Sequence, residues 1–311
     1  MRNDIHIFAP ASVANVACGF DTLGFAIHRP GDDLIARFSS QPGLTISKIT
    51  GDEGKLPLDP EKNTAGVSAL ALMEHLGVVQ GIEIEIHKGI PSGSGLGSSA
   101  CSAVAGAVAV NELLGRPLSR QALLPFALQG EAIASGGAIH ADNVGPCLLG
   151  GMVLVRSNKD LDTVNIPVPK DLYAAVVLPD LEILTTQARA ILRKEIPMSE
   201  AIVQWGNLGG LVAGLMQSDY ELIGRSLQDV IVEPYRASLI PGFYQVKQAA
   251  IHAGALGCSI SGAGPAVFAL CKGDEKAFQV AIAMQFAFQD NGIDCERFIS
   301  TINTHGAMRI K

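Results

Sequence analysis

Charge is scarce in this chain. Only 17% of its 311 residues are Asp, Glu, Lys or Arg, and the formal net charge is −7. That balance, with no long run of Lys or Arg to offset it, argues against a nucleic-acid binder. No stretch of 18 apolar residues is free of charge or repeated glycine, so no membrane span is expected. The apolar run 100–110 is closed by Asn111 and Glu112 and reads as a buried helix. The opening MRNDIHIFAP turns polar too early for a secretory signal, and a cytoplasmic location is expected. The six cysteines (18, 101, 147, 258, 271 and 295) contain no CxxC pair. They match neither a zinc site nor a disulfide framework and read as reduced, mostly buried thiols. The glycines have no short period, and nothing repeats at solenoid spacing, which excludes collagen-like and solenoid architectures.

What is plentiful is apolar material and glycine. Hydrophobic residues make up 48% of the chain, enough for a real core. The length suggests about two domains, and the polar, proline-bearing stretch 158–170 places the boundary near residue 160, giving halves 1–160 and 161–311. Alternation predicts strands over 4–8, 44–49 and 82–88 (IEIEIHK), and apolar runs predict buried strands over 152–155 and 174–178. A helix is expected over 63–76, with Asn63 as N-cap and Gly77 past its end. Others are expected over 98–114 and over 119–134, where Pro125 either kinks the helix or lies near its start. The second half offers helices over 186–194, 200–216, 243–253 and 275–290, and strands over 257–261, 266–271 and 297–302. Strands and helices mix without regular βαβ alternation, which favours an α+β fold.

The strongest local signal is PSGSGLGSSA, residues 91–100, set between a strand and an apolar helix. Gly93, Gly95 and Gly97 let the backbone approach a ligand with no Cβ in the way. The helix that follows offers free N–H groups and the positive end of its dipole, together a site for a phosphate chain. Ser98 and Ser99 add hydroxyls for a phosphate oxygen or a magnesium ion. The segment is not a Walker loop, which needs a lysine before Ser or Thr, and it lacks the third glycine of a dinucleotide fingerprint. A second glycine-rich turn, SGAGP (261–265), lies between two apolar strands.

Three segments in order, PASVANVACGFDTLG (10–24), PSGSGLGSSA (91–100) and SGAGPAVFAL (261–270), resemble the GHMP kinase superfamily. The resemblance covers nearly the whole chain. It implies an N-terminal α+β domain with a left-handed βαβ unit and a C-terminal ferredoxin-like domain. HADN at 140–143 followed by GPCLLGG, TTQAR at 185–189 and EPYRASLIPGF at 233–243 resemble the branch of that superfamily whose acceptor is L-homoserine.

The resemblance further implies ATP and Mg2+. ATP would be held by Pro91, Ser92, Gly93, Ser94, Gly95, Leu96, Gly97, Ser98, Ser99, Ala100 and Cys101, with Asn63 near the base. Glu131 with Ser98 or Ser99 would bind the metal. Asn15 and Asp21 would contact the acceptor, Asp21 facing its ammonium group, while Arg189 and Arg236 clamp its carboxylate. His140, Asp142 and Gly262 would line the same pocket. Asn143 would orient the hydroxyl, the proton leaving late toward the phosphate; Asp142 acting as base is the rival. At Ala17 and Cys18 the chain departs from the family's glycine-rich or proline-bearing turn. Mevalonate or another alcohol is the second acceptor reading. An inactive ligand sensor is the reading from a different class, against which the intact loop glycines, Ser98, Ser99, Glu131 and Asp142 count. A homodimer is compatible with the apolar content.

Overall fold

Residues 4–134 and 140–310 are described by the computed structural model. Apolar alternation starts β1 (Ile5–Ala14), which runs well past its predicted end through Pro10. Its partner β2 (Leu23–Ser39) has 17 residues and no counterpart in the sequence expectations, because HRPGDD breaks the alternation. The structure keeps one strand by bulging it. Pro10 pairs with Gly31 but Ser12 pairs with Ala26, so residues 27–30 loop out of the ladder. A proline is tolerated there because the ladder needs no N–H from it. The second half docks on this bulge: Ile27 bridges to Ile302, and the His28 N–H donates to Ser300 Oγ at 2.8 Å.

β3 (Leu44–Thr50) and β4 (Gly81–His87) are parallel, joined by α1 (Thr64–His75) as a βαβ crossover. α2 (Ser98–Leu113) is buried along nearly its whole length, as its all-round apolar sequence requires. α3 (Arg120–Ala134) carries Pro125 inside its body, and α4 (Ala141–Leu149) begins at the HADN motif. β5 (Met152–Ser157) is followed by β6 (Asp162–Ile166), a strand within the stretch expected to be a linker. The first sheet has the order β11-β1-β2-β4-β3, where β11 is Met308–Arg309; β5 pairs with β2 and β6 with β5.

The second sheet contains β7 (Leu172–Pro179), β8 (Gly257–Ile260), β9 (Val267–Lys272) and β10 (Cys295–Thr301), all antiparallel in the order β10-β7-β9-β8. Between β7 and β8 lie α5 (Thr185–Ala190), α6 (Met198–Gln217), α7 (Tyr220–Ser226), α8 (Glu233–Arg236) and α9 (Phe243–His252), and α10 (Asp274–Gln289) connects β9 to β10. With α9 and α10 as its two covering helices, this is the ferredoxin-like β-α-β-β-α-β order. α5 stops at Ala190, short of the expected Lys194. One face of the sheet (Ala175, Val177, Val267, Ala269) shares a cluster with residues of α9 and α10. The other (Ala174, Val176, Phe268, Leu270) belongs to the same cluster as the first half's core, where Phe268 meets Phe25 edge-on at 5.9 Å. The two halves therefore share a core. No helix among the described residues is long and apolar enough to cross a membrane.

Candidate active site

The shared core brings to one cleft the loop 92–97 with the start of α2, Asn15 and Asp21 from the loop between β1 and β2, Glu131 of α3, the first turn of α4, the segment 182–189, Arg236 of α8 and the turn 262–264. Gly93, Gly95 and Gly97 have φ of +68°, +80° and +70°. A Cβ on Gly95 would sit 2.6 Å from the Ser261 carbonyl oxygen and 2.7 Å from that of Gly264. Only glycine fits. The carbonyls of Gly93, Ser94, Gly95 and Leu96 accept from Ile183 N–H, Ala266 N–H, Ser261 Oγ–H and Ser12 N–H respectively. Four successive negative ends are thereby tied to the protein, and the loop is left as an anion cradle at the head of α2.

Beneath that cradle lies a buried ion pair that sequence reasoning missed. Lys88 Nζ donates to the Asp32 carboxylate, to Ser98 O at 2.9 Å and to Ser102 Oγ at 2.8 Å. It reads as the polar end of IEIEIHK; the available signal was a lysine only three residues before the glycine loop. Its partner Asp32 lies 56 residues away in sequence. Five expected ligand residues do not line the cleft. Leu96, Ala100 and Cys101 point into the core, where the Cys101 thiol donates to Ala9 O at 2.8 Å, and Pro91 lies outside the rim. Asn63 caps α1, its Oδ1 accepting from Ala65 and Gly66 N–H while its Nδ2 donates to Pro57 O, so the side chain is committed to the helix end.

The opposite end of the cleft is built on strained backbone. Asn15, Val16, Ala17 and Asp21 all have positive φ, between 30° and 70°. Ala17 thus takes, at φ +55°, a left-handed backbone that glycine adopts more readily. Asn15 holds the loop: its Nδ2 donates to Gly262 O at 2.7 Å, its Oδ1 accepts from Asp21 N–H at 3.0 Å, and its own N–H donates to Asp142 Oδ2 at 3.3 Å. Gln204 on α6 ties the far side by donating to Cys18 O.

Asp21 and Arg189 form a two-bond pair at 2.9 and 3.0 Å, and Arg189 also reaches His140 Nε2 at 3.3 Å. Arg236 is only 3% exposed and donates to Gly262 O and Ala188 O. Burial, aided by the charge of Arg189, brings its pKa down to about 10, whereas the bond to Asp21 pushes Arg189 upward. The α4 turn adds Asp142, whose pKa burial and the nearby Asp21 charge raise to about 6. Burial pulls His140 down, but Glu131, with its Oε1 3.6 Å from Nδ1, and Asp142 outweigh it and leave the imidazole more basic than usual. Asn143 Oδ1 accepts from the fully buried Ser12 hydroxyl at 3.1 Å, a second partner not foreseen from the sequence.

The metal donors expected from the sequence share this cleft. Ser98, Ser99 and Glu131 all line it, and Ser98 Oγ donates its proton to Ile90 O, which leaves its lone pairs for a cation. Two hydroxyls and one carboxylate are hard oxygen donors of the kind Mg2+ takes together with substrate phosphates.

Known proteins carry the same architecture. The N-terminal domain description of the GHMP kinases matches residues 63–151, and the C-terminal one matches 211–290. A homoserine kinase from Chloroherpeton thalassium is 52% identical over 292 residues, covering 91% of each chain. One from Xylella fastidiosa is 43% identical over 96% of this chain and 92% of its own. The crystal structure of homoserine kinase from Cytophaga hutchinsonii superposes with a TM-score of 0.97 at 55% identity, over 100% of this chain and 98% of that one. The chain belongs to the GHMP kinases, in their homoserine kinase branch.

Proposed function

We propose that the cleft moves the γ-phosphoryl group of ATP onto the side-chain hydroxyl of L-homoserine, yielding O-phospho-L-homoserine and ADP, a step toward threonine. The observation that carries the acceptor assignment is Arg236, a buried cation with no carboxylate within ion-pair distance among the described residues. A buried charge without a counter-ion is costly. Here it adjoins an Asp21–Arg189 pair, so the missing partner is an anion that arrives with its own cation: an amino-acid zwitterion. A plain hydroxy-acid would satisfy Arg236 and leave Asp21 with nothing new.

Residues 1–160 supply the triphosphate cradle and residues 161–311 the two arginines. Loop amides and the head of α2 hold the phosphates; Ser98, Ser99 and Glu131 would hold Mg2+, which neutralises charge on the triphosphate when bound. Catalysis is then largely positioning. Ser12 fixes the Asn143 amide by donating to its oxygen, which leaves the NH2 to orient the acceptor hydroxyl, and the proton departs late toward the phosphate. One observation favours the rival reading: Asp142 Oδ1 is buried with no hydrogen-bond partner, which leaves its lone pairs open to a proton.

ADP release should be followed with Mg-ATP against L-homoserine, D-homoserine, L-threonine, L-serine, mevalonate and galactose. Turnover on L-homoserine, with Arg236→Gln raising its KM about 100-fold and leaving the KM for ATP alone, is expected. Turnover on mevalonate in its place would overturn the acceptor, and ATP binding without turnover on any acceptor would favour a sensor.

A further inference from the structure

Phe20 does not behave as a core residue. It is half-buried, belongs to neither apolar cluster, and occupies the strained acceptor loop immediately before Asp21. Its distinctive neighbours are cations. The guanidinium carbon of Arg236 lies over its ring at 5.0 Å from the centroid and that of Arg189 at 5.5 Å. Both distances fall within the roughly 6 Å reach of a cation–π contact, which strengthens as water is removed.

The arrangement answers an electrostatic problem. Two guanidinium groups meet here while a single carboxylate, Asp21, pairs with one of them through two bonds. Arg236 donates from Nε to Ala188 O and from Nη1 to Gly262 O, neither of which carries a full charge. The ring's negative face lies against both guanidinium groups and offsets their mutual repulsion at closer range than Asp142 and Asp229, whose carboxylates act on them without an ion-pair contact. It also has a part in binding. An acceptor ammonium drawn to Asp21 competes with Arg189 for that carboxylate, so the Arg189 side chain has to stay in place while its partner changes.

We propose that Phe20 is a positioning residue whose ring holds Arg189 and Arg236 together as a carboxylate clamp and thereby sets the affinity for the acceptor's α-carboxylate. This rests on the reading of the two arginines as that clamp. The ring touches no reacting atom, so its contribution belongs in the acceptor KM and not in kcat.

The test is steady-state kinetics on the full chain with Phe20→Leu, Phe20→Tyr, and phenylalanines at position 20 bearing one, two and three ring fluorines. Fluorine drains the negative face of the ring with little change of shape. Two acceptors are compared, L-homoserine and its carboxylate-free counterpart 3-aminopropan-1-ol. Loss of a desolvated cation–π contact predicts about a tenfold rise in the L-homoserine KM for Phe20→Leu, with kcat and the KM for ATP held. Phe20→Tyr should retain near-normal affinity, the fluorine series should raise KM stepwise, and the KM for 3-aminopropan-1-ol should stay unchanged across all variants. A flat fluorine series, or an equal KM rise with the carboxylate-free acceptor, would show that the ring acts by shape alone and overturn the proposal. If the unaltered enzyme were idle on L-homoserine, the acceptor reading itself would fall and the clamp with it.

Discussion

At one end of the cleft the recognition surface is backbone, three left-handed glycines and the head of a buried helix. At the other it is side-chain charge: Asp21, Arg189, Arg236 and Asp142 on a strained loop and short helices. A backbone cradle reads the shape and charge of a phosphate chain, and its donors are lost only if the chain path changes. A charged lining reads which ions the other substrate carries, and each reading depends on one side chain. The fold can therefore keep its phosphate end fixed while the acceptor end is altered residue by residue. The two ends meet at Gly262, whose carbonyl accepts from both Asn15 and Arg236 while a Cβ on it would stand 3.0 Å from Gly95 O.

The largest effect is expected where the cradle has no slack. Gly95→Val places a β-branched side chain at φ +80° and drives its Cβ into two backbone oxygens. The loop has to move, and a misplacement of about 1 Å costs on the order of 100-fold in rate. Steady-state assays should show at least that loss in kcat/KM for ATP, with L-homoserine still bound in calorimetry. Activity near the unaltered level would mean that the loop is a spectator and the comparison between the two ends fails.

Next comes an effect confined to the charged end. Asp142 holds its proton to about pH 6, above the ordinary carboxylate value, because burial and Asp21 disfavour its charge. The native state thus binds the proton more tightly than the unfolded chain does. Stability from this group is complete below about pH 4 and is lost as pH rises through 6, a loss on the order of 2–3 kcal/mol. Urea titrations at pH 4.5 and 7.5 should show Asp142→Asn gaining on the unaltered protein at the higher pH. The same variant sharpens the mechanism. Loss of nearly all kcat with acceptor still bound would make Asp142 the base, and retained kcat would leave the hydroxyl to Asn143.

The same contrast explains what the sequence disclosed. The cradle is legible because its information is local: glycines at 93, 95 and 97 and an apolar helix follow one another, and no distant partner is needed to interpret them. The residues proposed for the acceptor came from motif resemblance, since nothing near Arg189 or Arg236 in sequence announces that they adjoin Asp21. Residues whose roles depend on distant partners escaped. Lys88 needs Asp32, Ser12 needs Asn143 across 131 positions, and Phe20 needs two arginines from the other half. β2 escaped for another reason, because the bulge that receives the second half puts a turn-like HRPGDD inside a continuous strand. Leu96, Ala100 and Cys101 are contiguous with the phosphate loop, but their side chains serve the core.

The smallest effect belongs to the residue that touches both ends. Ser12 donates its N–H to Leu96 O in the phosphate loop and its hydroxyl to Asn143 Oδ1 on the acceptor side. Ser12→Ala keeps the backbone bond and removes only the second. One neutral hydrogen bond is worth about 0.5–1.5 kcal/mol, so a two- to tenfold fall in kcat is expected, with both KM values unchanged. Asn143 would still be present but free to turn its amide, and a hydroxyl aimed by a loosely held group reacts less often without binding less well. A rise in the KM for ATP at constant kcat would instead assign Ser12 to the cradle, through the Leu96 carbonyl that its N–H restrains.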